Sequence, residues 1–91
     1  MAKEQRLVHF FGFVQGVGFR YAAYRVAAGF EVAGFVRNLD DGRVECLFEG
    51  EAAEINACLA ELVHRMRGHI QKAEQETMPF TGQHQAFEIV H

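Results

Sequence analysis

The chain has 91 residues, of which 49% are hydrophobic and 23% are charged, and its formal net charge is −3. This length predicts one domain over residues 1–91 with a modest core. The negative charge argues against nucleic acid or an anionic membrane as the main partner, because both require a basic surface. No apolar run reaches the length of a membrane span and no signal-peptide pattern is present, so we expect a cytoplasmic protein and a monomer.

Residues 7–14 (LVHFFGFV) predict a first strand that is apolar on both faces and therefore central in a sheet. Its two faces carry three apolar residues each, namely Val8, Phe10 and Val14 on one and Leu7, Phe11 and Phe13 on the other. Arg20–Ala28 predicts a helix whose apolar stripe consists of small residues, which suits close packing on a sheet. Gly29 is expected to end this helix in a left-handed conformation.

Val32–Leu39 and Arg43–Glu49 predict two further strands, joined by a hairpin turn at Asp40–Gly42. Apolar residues then recur at helical spacing from Glu51 to about Arg67, which predicts a second helix. The core stripe of this helix is Ile55, Cys58, Leu59, Leu62 and Met66. Cys46 and Cys58 both face the predicted core and are expected to be reduced thiols, although a disulfide between them is possible.

The last third of the chain gives weaker signals. His69–Thr77 alternates only weakly and could be a fourth strand, residues 78–85 predict a loop, and Ala86–Val90 predicts a short last strand. The order βαββαβ with an extra C-terminal strand predicts an α+β sandwich of ferredoxin-like type. Two helices would cover one face of a mostly antiparallel sheet.

The predicted topology brings two polar segments to one edge of the sheet. A right-handed crossover through the first helix leaves the first two strands parallel, so their C-terminal ends lie together. Those ends carry Gln15–Arg20 and Asn38. Residues far apart in the sequence therefore meet there.

Residues 15–20 (QGVGFR), here called the glycine loop, join the first strand to the first helix. Gly16 and Gly18 allow backbone conformations in which several N–H groups point into one concave nest that binds anions. Arg20 adds a planar, permanently charged group suited to phosphate oxygens. The spacing of the glycines matches neither common nucleotide-binding loop. The alternative interpretation is therefore a plain strand-to-helix turn with a solvated arginine. Asn38, likewise, could be a simple turn residue.

Two segments together resemble the acylphosphatase family. GFVQGVGFR matches the family's first motif at Gly12 and at Val14–Arg20. GFVRNLDDGRVE matches the second motif, with Phe35 in place of a common tryptophan. Other departures are Phe13, where a polar residue is frequent, and Gly68-His69, where Gly-Pro is frequent. The resemblance covers nearly the whole chain.

The resemblance implies hydrolysis of acyl phosphates to a carboxylate and inorganic phosphate. It implies that the phosphate-binding residues are Gln15, Gly16, Val17, Gly18, Phe19 and Arg20, and that Arg20 and Asn38 are catalytic, Asn38 by orienting the attacking water. A carboxylate leaves without help from an acid, so no metal and no cofactor are expected. The five histidines show no metal-ligand spacing. The expected partner is a small acyl phosphate.

Two other functions compete with this interpretation. Leu7, Phe11 and Phe13 on the open face of the sheet could stack RNA bases in a non-catalytic binding module, although the charge of −3 and the match to both motifs weigh against this. The same residues could instead be covered by a loop or form a weak self-association patch.

The domain also resembles the N-terminal part of hydrogenase-maturation carbamoyltransferases, but the short chain favours a stand-alone enzyme.

Overall fold

The computed structural model describes residues 2–91. In chain order its elements are β1 (Lys3–Gly12), α1 (Phe19–Ala27), β2 (Val32–Asn38), β3 (Val44–Glu51), α2 (Ala52–Met66), β4 (Ile70–Pro79) and β5 (Phe87–Val90). The five strands form one sheet in the order β4-β1-β3-β2-β5. The βαββαβ order with an extra C-terminal strand, the two helices and the mostly antiparallel sheet confirm the predicted ferredoxin-like fold.

The strand β1 is central, as its apolar faces predict. It pairs antiparallel with β3 on one side and with β4 on the other. Because β2 also runs antiparallel to β3, β1 and β2 point in the same direction and their C-terminal ends share one edge of the sheet. Only β5 pairs parallel, on the far side of β2, with Val36 opposite Ile89.

The bounds of β1 differ from the prediction at both ends. The strand begins at Lys3 rather than residue 7, since Lys3 pairs with Glu51 and the next residues continue that ladder. Pairing with a neighbouring strand extends a segment that has too few apolar residues to be recognised alone. The strand ends at Gly12, where its register against β4 shifts, so Phe13 lies beyond the strand.

The last segments also differ in detail. The weak fourth strand is real, and it continues through Pro79 rather than giving way to a loop at residue 78. It is an edge strand with mostly exposed residues, which explains its faint alternation. The expectation of a left-handed Gly29 is wrong, because only other glycines have positive φ values. Instead, the chain leaves α1 through a tightened turn in which the Gly29 N–H donates to the Val26 carbonyl oxygen at 3.0 Å.

The core lies between the helices and one face of the sheet. Its fully or almost fully buried members include Val8, Phe10, Val14, Phe19, Val36, Val44, Phe48, Ile55 and Leu62. Cys46 of β3 and Cys58 of α2 are both buried in this layer as free thiols, as predicted. Burial disfavours the thiolate, raises the pKa of Cys46 well above its usual value and raises the pKa of Cys58 to about 12.

Gly34 is needed where β2 pairs with β3. Its φ of 137° lies in a region that residues with a side chain rarely adopt. A Cβ atom at this position would overlap the backbone carbonyl of Leu47 on β3. The glycine thus permits the close pairing that sets the course of β2 toward the site.

The open face, meaning the sheet surface opposite the helices, is not a plain aromatic surface. Phe11 is partly buried between two cations, with the Lys72 Nζ 4.5 Å and the Arg43 Cζ 5.7 Å from the ring centroid. Leu47 is buried and Leu7 is partly buried beside it. Phe13 alone of the three predicted open-face residues is strongly exposed, at 73%.

Loop residues 80–86 close part of the same face through Glu49. The carboxylate of Glu49 accepts hydrogen bonds from the Thr81 hydroxyl at 2.6 Å, the Thr81 N–H at 2.8 Å and the Gly82 N–H at 3.1 Å. Burial opposes ionisation, but these donors outweigh it and lower the pKa of Glu49 below its usual value. A charged, satisfied carboxylate therefore anchors this loop to the sheet.

Candidate active site

The glycine loop is fixed at both ends by core residues. Val14 precedes it and is fully buried, while Phe19 is 2% exposed and packs against Phe10 with ring centroids 5.0 Å apart. Between these anchors, Gly16 and Gly18 have φ values of 75° and 79°. Both values are left-handed, so glycine is the residue that adopts them without strain. Buried side chains thus hold the loop at both ends, and two left-handed glycines turn the backbone between them.

The loop leaves its N–H groups free. In residues 2–91, no hydrogen bond is donated by the backbone N–H groups of residues 16–20, and the first bond of α1 runs from Ala22 N to Gly18 O at 2.9 Å. Gly18 is the N-cap and supplies no side-chain acceptor. Free N–H groups at a helix N-terminus carry a partial positive charge and bind anions. Unbonded N–H groups and two left-handed glycines are the features that the predicted anion nest requires.

The guanidinium of Arg20 is also uncommitted. Its Nη1 lies 3.5 Å from the Val90 carbonyl oxygen and 3.5 Å from His91 Nδ1, at the outer limit of hydrogen bonding. None of the ion pairs found within the described residues includes Arg20. A full positive charge beside the nest thus remains available to an anion.

Asn38 is the last residue of β2 and lies on the helix side of the sheet, like Val36 two residues before it. No hydrogen bond within residues 2–91 uses its side-chain amide. Arg37 lies on the opposite face, as the strand alternation predicts. The amide of Asn38 is therefore free to bind a water or a ligand.

These groups surround one open cavity of about 300 Å³. It is lined by Val14, Gly16, Gly18, Phe19, Arg20, Tyr21, Asn38, Ile89 and His91. The structure thus brings Arg20 and Asn38 together with the loop glycines, as topology predicts. Sequence reasoning missed Tyr21, Ile89 and His91. Tyr21 could have been suspected from its place next to Arg20, but the other two reach the cavity only because β5 pairs with β2.

Two predicted phosphate-binding residues, Gln15 and Val17, do not line the cavity. Val17 is 40% exposed. The side-chain amide of Gln15 instead donates to the Leu39 carbonyl oxygen at 2.7 Å and to the Arg43 carbonyl oxygen at 2.9 Å. Leu39 follows Asn38 directly, so this side chain ties the glycine loop to the hairpin that carries Asn38.

The family model for acylphosphatases matches residues 7–89. The chain belongs to the acylphosphatase family. An acylphosphatase of Burkholderia mallei is 51% identical over 53 residues, which are 58% of this chain and 54% of that protein. In this match the chain thus spans about half the length of its relative. An acylphosphatase of Syntrophus aciditrophicus is 39% identical over 84 residues, covering 88% of this chain and 84% of the relative.

A solved structure supports the same assignment. The crystal structure of acylphosphatase from Bacillus subtilis superposes with a TM-score of 0.83 at 29% identity, covering 99% of this chain and all of that one. The acylphosphatase fold therefore extends over the entire described chain. This includes β4, which directly follows the Gly68-His69 departure.

In this acylphosphatase domain, His9, Glu45 and Arg37 form a hydrogen-bonded triad across the open face. The carboxylate of Glu45 on β3 lies 2.8 Å from His9 Nε2 and accepts a hydrogen bond from Arg37 Nε at 2.6 Å. Burial favours the neutral acid, but the hydrogen bonds from His9 and Arg37 outweigh it and lower the pKa of Glu45. Because Arg37 immediately precedes Asn38, the triad fixes the end of β2 across three strands.

No group of three or more His, Cys, Asp or Glu side chains in residues 2–91 is arranged to hold a metal ion. None of the helices described there has the length and apolar character needed to cross a membrane.

Proposed function

We propose that the protein hydrolyses acyl phosphates to a carboxylate and inorganic phosphate. The observation that carries this proposal is one cavity that combines free loop N–H groups, the unpaired Arg20 and the free amide of Asn38. Membership of the acylphosphatase family and the names of the relatives support it. The cavity is of a size that suits a small substrate.

The phosphoryl group would be bound by the nest and by Arg20. The N–H groups of residues 16–20 point at its oxygens, while the guanidinium neutralises the charge that spreads over them in the transition state. Donors held in place before the reaction need no reorganisation, and each is worth about 3–4 kcal/mol in comparable sites. The two buried anchors, Val14 and Phe19, keep those donors in position.

Asn38 would orient the attacking water. Its amide oxygen can accept a hydrogen bond from the water, so that the water's lone pair points at phosphorus opposite the acyl oxygen. As the water oxygen bonds to phosphorus, the P–O bond to the acyl group breaks and a carboxylate with a pKa of about 4 leaves as an anion. The proton of the water passes to the phosphate product or to solvent. The departing carboxylate needs no proton, so the reaction does not require a general acid. Gln15 serves as a positioning residue between the loop and Asn38.

Several further properties belong to the same proposal. The reaction is metal-independent and uses no cofactor, and the protein acts as a cytoplasmic monomer on a small acyl phosphate rather than on nucleic acid. Ultracentrifugation at rising protein concentration tests the monomer, because the exposed Phe13 offers a surface for self-association. A dimer at micromolar concentration would contradict that part of the proposal.

The test is phosphate release from acetyl phosphate in the presence of EDTA. We expect turnover by the wild type, loss of at least about a hundredfold in kcat/KM for Arg20→Ala, and a loss mainly in kcat for Asn38→Ala. Arg65→Ala is the control, because this exposed arginine on α2 pairs only with Glu61. A folded protein without turnover would refute the function, and wild-type kcat/KM in Arg20→Ala would refute the site.

A further inference from the structure

A second cation lies at the outer rim of the cavity. Tyr21 lines the cavity and is 58% exposed. One helical turn later, Arg25 donates from Nη1 to the Tyr21 hydroxyl oxygen at 3.1 Å, and its Cζ lies 5.6 Å from the centre of the Tyr21 ring. These contacts place the guanidinium of Arg25 next to one side chain of the cavity lining.

This rim is positive although the protein as a whole is negative. The helix α1 (FRYAAYRVA) contains Arg20 and Arg25 but no acidic residue. Of the described residues that line the cavity, none is acidic either. No ion pair found within residues 2–91 includes Arg25. Two arginines without an acidic partner thus lie in or next to the cavity lining. A single phosphoryl group needs only Arg20.

The spacing of the two arginines suits two anionic groups on one small molecule. Five residues of helix advance about 7.5 Å along the axis and turn about 140° around it, so Arg25 reaches Tyr21 and the cavity through its long side chain. Side chains on a helix lean toward its N-terminus, so Arg25 leans back toward the cavity, as its bond to Tyr21 shows. The hydroxyl of Tyr21 accepts from Arg25 and keeps its own hydrogen to donate. An incoming carboxylate would meet both the Tyr21 O–H and the remaining N–H groups of Arg25.

We propose that the preferred substrates are acyl phosphates whose acyl group carries a second anionic group. Arg25 and the Tyr21 hydroxyl recognise this second group. The proposal rests on the proposed hydrolase function. The phosphoryl end occupies the nest and the acyl chain extends along α1 toward the rim. The two residues determine specificity and take no part in bond breaking. The contribution of Arg25 and Tyr21 to kcat/KM is electrostatic and acts at an exposed position. It is therefore modest and weakens with added salt.

The test compares two rigid substrates that share a benzoyl phosphate core, p-carboxybenzoyl phosphate and p-methylbenzoyl phosphate. The aromatic ring keeps the second carboxylate away from the reacting carbonyl and so prevents intramolecular attack. We expect wild-type kcat/KM to be about fivefold higher for the carboxylated substrate at low salt. Arg25→Gln should bring that ratio close to one, while its acetyl phosphate turnover changes by less than about twofold. Tyr21→Phe should also lower the ratio.

Arg65→Gln is the matched control, because it removes an exposed helix arginine elsewhere and should leave the ratio unchanged. A wild-type ratio near one would overturn the specificity proposal, and so would a ratio that survives Arg25→Gln. Either result with normal acetyl phosphate turnover leaves the hydrolase function intact. If acetyl phosphate is not hydrolysed at all, the function itself fails and the specificity proposal falls with it.

Discussion

Replacing Gln15 by alanine would remove the side chain that joins the glycine loop to the β2–β3 hairpin. Two hydrogen bonds are lost, to the carbonyl oxygens of Leu39 at 2.7 Å and Arg43 at 2.9 Å. Both acceptors keep a backbone partner, since Gly42 N donates to Leu39 O and Leu39 N donates to Arg43 O. The substitution therefore leaves neither carbonyl without a hydrogen bond.

The lost hydrogen bonds determine how much the substitution should lower stability and how much it should lower kcat. Two neutral hydrogen bonds without an orphaned acceptor are worth about 1–2 kcal/mol of unfolding free energy, which is about 4–16 °C in Tm for a domain of this size. The domain should stay folded, because typical stabilities are about 5–15 kcal/mol. The loop and Asn38 would no longer be held together, and a misplacement near 1 Å can cost about a hundredfold in rate. We expect kcat to fall about 10- to 100-fold.

The assay is phosphate release from acetyl phosphate, run beside urea unfolding on the same samples. Gln5→Ala is the control, because Gln5 near the opposite end of β1 donates a similar hydrogen bond to Glu49 at 2.9 Å. The control should lose similar stability without losing kcat. If Gln15→Ala loses stability but keeps the kcat of the control, Gln15 only stabilises the fold, and the positioning argument is wrong.

Three further predictions concern the framework of the site. Gly34→Ala should lower the free energy of unfolding in urea by more than about 3 kcal/mol. Gly29 has ordinary backbone angles and room for a methyl group, so Gly29→Ala should leave that free energy almost unchanged. Glu45→Gln should cost about 1–2 kcal/mol at pH 7. Because the folded pKa of Glu45 is lowered, this difference should shrink as pH falls below about 4.5, and an undiminished difference at pH 3 would contradict the triad. Cys58 should resist iodoacetamide at pH 8 in the native protein but react fully in urea, as followed by mass spectrometry, and rapid native labelling would contradict its burial.

Long-range strand pairing accounts for the expectations that needed correction. The Lys3–Arg6 segment has too few apolar residues to predict a strand, yet it pairs with β3 and β4 on both sides. The weak alternation of β4 reflects its place at the exposed edge of the sheet. Both segments are strands because of their neighbours. The predicted position of Phe13 on the strand was wrong for a similar reason, since the register shift at Gly12 ends β1 early.

The sequence by itself determined the local chemistry of the site. Glycines at positions 16 and 18 followed by Arg20 specify a left-handed loop with a cation at its end, because backbone conformation depends on the residues that adopt it. The order of elements then brought Asn38 to the same edge, because crossover connections have one handedness.

Tertiary structure alone decided which side chains surround the loop. Packing buried Phe19 and turned Gln15 away from the cavity toward the hairpin. The parallel pairing of β5 with β2 brought Ile89 and His91 to the cavity. The contacts of Gln15 and of β5 join residues more than twenty positions apart, and their geometry follows from how whole elements pack. No local pattern of residues contains that information.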